Sequence, residues 1–80
     1  MNEISLATQS KPAPKGSLAW DVLRRDGEAD QATYSLVATM SFCERTGMYE
    51  ATMCDGKVIF TRSVDRAFGF IRQQITSSAH

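Results

Sequence analysis

Eighty residues, 42% of them hydrophobic, with nine basic and nine acidic side chains for a formal net charge of +0, suffice for one small domain. Neutrality sets the chain apart from general nucleic-acid binders, which are basic, and from DNA mimics, which are strongly acidic. No run approaches the ~20 apolar residues of a membrane span. Met1-Asn2-Glu3-Ile4-Ser5 has neither a basic nor an apolar signal region, so the expectation is a soluble, cytoplasmic protein.

Residues 1–16 hold Ser, Lys, Pro12, Pro14 and Gly16 without an apolar period, which predicts a disordered N-terminal tail. Ser17–Arg25 reads in two ways. As a strand it alternates Leu18, Trp20 and Val22 with Ala19 and Asp21, turning Trp20 to the core. As a short helix it is capped by Ser17, stopped by Gly27, and points Trp20 away. Asp26–Gln31 follows as an acidic loop with Asp26, Glu28 and Asp30.

Thr33–Cys43 is the clearest strand, with Tyr34, Leu36, Ala38, Met40 and Phe42 on one side and Thr33, Ser35, Val37, Thr39 and Ser41 on the other. Glu44-Arg45-Thr46-Gly47 makes a turn into a second strand from Met48. Asp55-Gly56 then signals a type I′ hairpin into Lys57–Arg62. Ser63 is a good helix N-cap, with Asp65 complementing the dipole in the first turn. From Val64, Ala67, Phe68, Ile71 and Ile75 form one apolar stripe at helical period, and residues 78–80 are expected to fray.

The two turns imply a register. Closing the first around 44–47 sets Phe42 opposite Tyr49, Met40 opposite Ala51 and Ala38 opposite Met53. Closing the second around Asp55-Gly56 sets Ala51 opposite Phe60 and Met53 opposite Val58. Leu36, Met40, Phe42, Tyr49, Met53, Val58 and Phe60 then share the face that receives the helix, and a slip of one residue would break this. Val37, Thr39, Ser41, Glu50, Thr52, Ile59 and Thr61 face away, while the aromatics Tyr34, Phe42, Tyr49 and Phe60 read as core. The predicted fold is α+β: residues 17–77 as a single domain, a small antiparallel meander of three to four strands with a C-terminal helix packed on one face. In this register Cys43 pairs near 48 and Cys54 lies opposite Val37, too far apart for a disulfide, so both read as reduced thiols.

Chemistry-bearing motifs are absent from the sequence. There is no phosphate-binding glycine loop, no His-Glu-x-x-His, no Gly-x-Ser-x-Gly and no metal-ligand spacing, and the only histidine is His80. The expectation is a non-enzymatic protein with no cofactor, metal or small-molecule substrate. Charge is nonetheless polarised. Arg62, Arg66 and Arg72, with Lys57 at the hairpin tip, form the candidate partner-binding site on the helix; Asp26, Glu28 and Asp30 form the alternative.

The order hairpin, strand, helix over about residues 33–77 resembles the C-terminal part of a double-stranded-RNA-binding domain, and a helical 17–25 would complete its αβββα order. That resemblance implies RNA binding through the start of the last helix, a place held here by Arg62-Ser63-Val64-Asp65-Arg66. The chain also resembles the small inhibitors encoded by phages and mobile elements, anti-CRISPR proteins among them, in its size, small sheet, single helix and lack of catalytic residues. That resemblance implies an inhibitor or adaptor that binds a host protein or nucleoprotein complex.

Overall fold

A computed structural model describes residues 4–77, with the side chain of Ala29 left aside. Five strands run in chain order across one antiparallel sheet: β1 (Ser5–Lys11), β2 (Ser17–Asp26), β3 (Thr33–Cys43), β4 (Met48–Met53) and β5 (Val58–Thr61). A helix, α1 (Val64–Ser77), follows and packs on one face, so the fold is the expected α+β meander with five strands rather than three to four. The helix is not long and apolar enough to cross a membrane.

Ser17–Asp26 adopts the strand alternative, and Trp20 turns inward, meeting Tyr49 edge-on with ring centroids 6.3 Å apart. Its pairing with β3 sets Trp20 opposite Met40 and Val22 opposite Ala38. Val22, Ala38, Met40, Ala51 and Met53 are buried beneath Ala67, Ile71 and Ile75 of the helix. Ser63 caps α1 as its position suggests: its Oγ accepts the Arg66 N–H at 3.3 Å, and its carbonyl accepts the Ala67 N–H at 3.1 Å.

Three expectations need correction. Residues 5–11 are not disordered but form β1, paired along its whole length with β2 from Ser5–Arg25 to Lys11–Ala19. The prolines that suggested a tail lie beyond the strand, in the connection to β2, where Pro14 O accepts the Ser17 N–H at 3.0 Å. Ladder pairing needs backbone groups rather than an apolar period, and β1 adds only Leu6, with Ile4 before it, to the rim of the core. The first three residues of the expected tail, and the expected frayed end at 78–80, lie outside the described residues.

The second correction concerns β5. The β3–β4 register is as expected, with Phe42 opposite Tyr49, Met40 opposite Ala51 and Ala38 opposite Met53. The β4–β5 register is one residue off: Ala51 pairs with Ile59, and Thr52 with Val58. A type I′ turn would need positive φ at Asp55, yet no non-glycine residue among those described has one. Instead Met53 O accepts the Gly56 N–H at 2.9 Å and Met53 N–H donates to Lys57 O at 2.7 Å, closing a three-residue loop. Gly56, at φ 97, takes its left-handed position. The single-residue shift turns β5 over. Ile59 packs against the core, while Val58 and Phe60 are 44% and 62% exposed.

The third concerns Leu36. Between Val22 and Leu23 the β2–β3 register jumps, so that Val22 faces Ala38 but Leu23 faces Leu36. Val37 is the extra residue of a β-bulge, and beyond it the alternation reverses. Leu36 and Tyr34 therefore share a face with Leu23 and Arg25, away from the helix, and are 50% and 55% exposed.

Candidate protein-interaction site

The four cations singled out in the sequence do not form one patch. Lys57 and Arg62 flank β5 at its opposite ends, about 17 Å apart at ~3.3 Å per residue. Lys57 is moreover paired with Asp55 at 3.7 Å. Arg66 and Arg72 are both exposed on α1, but at ~100° per residue they point about 120° apart around its axis. In the acidic alternative, Asp26 is paired with Arg24 at 3.2 Å, and Asp30 lies in a single 3₁₀ turn, Ala29–Gln31, that Glu28 precedes. Asp26, Glu28 and Asp30 are all exposed, at the tip of the β2–β3 hairpin.

Arg72 stands apart from the other three because of what it lines. The backbone of the helix lies over β4 and β5, reaches β3, and stands away from β1 and β2, of which inward side chains such as Val22 and Leu6 meet the core beneath it. The helix-side surface of β1 is thus left as the floor of a groove of about 480 Å³, lined by Leu6, Ala7, Thr8, Asp65, Phe68 and Arg72. Asp65, Phe68 and Arg72 recur at i, i+3 and i+7, one flank of the helix aimed at β1. Leu6 and Phe68 give the groove half-buried apolar walls, and Arg72 and Asp65 give it one charge of each sign. Among the described residues, neither charge has an ion-pair partner.

Beside this groove runs the outer edge of β1, the first strand in the sheet order, with no strand beyond it among the described residues. Its seven residues, Ser-Leu-Ala-Thr-Gln-Ser-Lys, carry no charge before Lys11 and no proline. Natural edge strands are usually guarded by such residues. Sequence reasoning passed over Leu6 and Thr8 because it gave their segment no structure. The 120° divergence of Arg66 and Arg72, by contrast, was available from helical geometry alone.

The two cysteines sit at separate turns. Cys43 ends β3, and the Thr46 N–H pulls its thiol below the ordinary range, helped by the Thr46 hydroxyl and the Arg45 N–H against the opposing effect of burial. Cys54 is exposed and donates its S–H to Leu36 O at 3.4 Å. No group of three or more His, Cys, Asp or Glu among the described residues is placed to hold a metal ion. No family model, curated protein or solved structure matches this chain.

Proposed function

We propose that this chain is a non-enzymatic protein-binding module, an inhibitor or adaptor of a host nucleoprotein complex acting in the cytoplasm. In this reading an extended segment of the partner docks along the β1 edge and sets alternate side chains into the groove beside α1. The observation that carries it is the juxtaposition of an unguarded edge strand with a two-walled groove. Strand addition draws affinity from main-chain hydrogen bonds and specificity from pockets that take every second side chain. Arg72 supplies a cation for a carboxylate of the partner, and Leu6 and Phe68 supply apolar contact.

RNA binding is the competing reading. Its αβββα order is not found among the described residues, because 17–26 is a strand. Its phosphate contacts would fall to Arg62 and Arg66 at the start of α1, on a different flank from Arg72.

Capture from a nuclease-treated bacterial lysate separates the two, with Arg72→Glu, Arg66→Glu and a triple Asp26→Asn, Glu28→Gln, Asp30→Asn variant run beside the unaltered chain. The expected result is a protein partner that survives nuclease and is lost with Arg72→Glu alone, at an unchanged thermal midpoint. Loss of the partner with the nuclease, together with an affinity that falls steeply with salt, would establish RNA binding instead. Loss only in the triple variant would move the site to the acidic hairpin tip.

A further inference from the structure

The opposite edge of the sheet carries a different set of features. The Met53 N–H to Lys57 O bond makes 53 and 57 a hydrogen-bonded pair. Bonded and non-bonded pairs alternate along an antiparallel ladder. Ala51–Ile59 and Tyr49–Thr61 therefore bond across β4 and β5, and Thr52–Val58 and Glu50–Phe60 do not. The N–H and C=O groups of Val58 and Phe60 thus point off the sheet edge. Apolar side chains lie above and below them. Val58 and Phe60 are exposed on the helix-free face. On the helix side, Phe70 and Arg66 occupy the flank of α1 opposite the one that lines the groove.

We propose that β5 pairs antiparallel with β5 of a second copy of this chain, about a two-fold axis through Ile59, to give a continuous ten-stranded sheet. Only one centred register uses the outward groups of both residues: Val58 bonds with Phe60 of the second copy, and Ile59 meets Ile59. That register sets Lys57 opposite Thr61 rather than opposite Arg62, so the two cations that flank each strand do not meet. It brings Asp55 of one copy, which already pairs with its own Lys57 at 3.7 Å, alongside Arg62 and Ser63 of the other, an added contact of opposite signs made twice by symmetry.

The helix placement favours a second copy over an unrelated strand. Because α1 lies over β4 and β5, strands ~4.8 Å apart bring the two helices to roughly 10–15 Å across the axis. Packed helices stand 8–10 Å apart, and the part of Phe70 that its own core leaves uncovered lies on the flank that faces this gap. Two four-residue strands and one helix flank from each copy make a small interface, at the lower end of what a specific dimer needs. The β1 groove lies at the far side of the sheet from this contact and stays open.

Sedimentation of the full chain from about 1 μM to about 1 mM tests the proposal. The expected result is a monomer–dimer equilibrium whose dissociation constant rises about tenfold or more in Phe60→Lys and is unmoved in Arg72→Glu. Amide exchange at Val58 and Phe60 should slow as concentration rises. An Ile59→Cys variant with Cys43→Ser and Cys54→Ser should oxidise to a covalent dimer, because a non-hydrogen-bonded antiparallel pair lies within disulfide reach. A chain that stays monomeric throughout, or a dimer whose Val58 and Phe60 amides exchange as fast as in the monomer, overturns the proposal. Because Phe60 lies outside the β1 groove, partner capture by Phe60→Lys tests that groove separately.

Discussion

The β3–β4 and β4–β5 hairpins each carry a glycine and a cysteine at the turn, and they differ in what their sequence discloses. The first has a four-residue loop, 44–47, closed by Gly47 N–H to Cys43 O at 2.8 Å, and strong alternation on β3 fixes its register. The second contains Asp-Gly, which suits a two-residue type I′ loop and equally a three-residue loop with glycine last. The choice rests on whether Asp55 takes a positive φ. It does not, and its side chain accepts the Lys57 N–H at 3.0 Å instead. One residue of loop length thus decides which side of β5 is core, and with it whether Phe60 is structural or available to a partner.

The largest expected effect lies beneath the helix, where both registers must be satisfied at once. Ile71 is fully buried, and Ile71→Ala should lower unfolding free energy by about 2–5 kcal/mol in chemical denaturation. Phe68, half-buried at the wall of the groove, should cost less when truncated to Ala.

A sharper comparison comes from neighbours on β5. Ile59→Ala should destabilise the monomer by about 1–2 kcal/mol, and Phe60→Ala by less than about 0.5 kcal/mol, both measured at a concentration where the chain is monomeric. The two-residue loop reverses this order, so a larger loss at Phe60 would return β5 to the register suggested by Asp-Gly. Gly56→Ala isolates the loop itself. A Cβ there meets nothing within 4 Å, so its cost is purely the strain of a side chain at φ 97, about 1 kcal/mol.

The pattern of what could be read follows from what each feature depends on. The apolar stripe of α1, its Ser63 cap and the β3–β4 register depend on side-chain period and loop length, both written in the sequence. β1 depends on backbone pairing with β2, which Ser5–Lys11 reveals by no period of its own. The bulge at Val37 leaves β3 reading as an unbroken alternation while reversing the sides of Leu36 and Tyr34. The groove was hidden for the same reason as β1, since one of its two walls is that strand.

The cysteines offer the smallest and most local comparison of the two turns. At the first, the Thr46 N–H, the Thr46 hydroxyl and the Arg45 N–H all favour the thiolate of Cys43. A thiol lowered in the folded state adds stability above its unfolded value, and that contribution is lost as pH falls through the lowered one. Cys43 lies near the surface, so the effect on stability is small, and reactivity is the better measure because the thiolate is the nucleophile. Alkylation of the native chain, followed by site-resolved mass spectrometry across a pH series, should give Cys43 a titration midpoint below that of an ordinary free thiol, at ~8.5. Thr46→Val, which removes the hydroxyl but keeps the N–H, should move that midpoint only part of the way back. The pH midpoint rather than the absolute rate is the quantity to compare, because Cys43 is half-buried and Cys54 is exposed. A Cys43 midpoint at or above the ordinary value would show that the 44–47 loop does not aim its N–H groups at the sulfur.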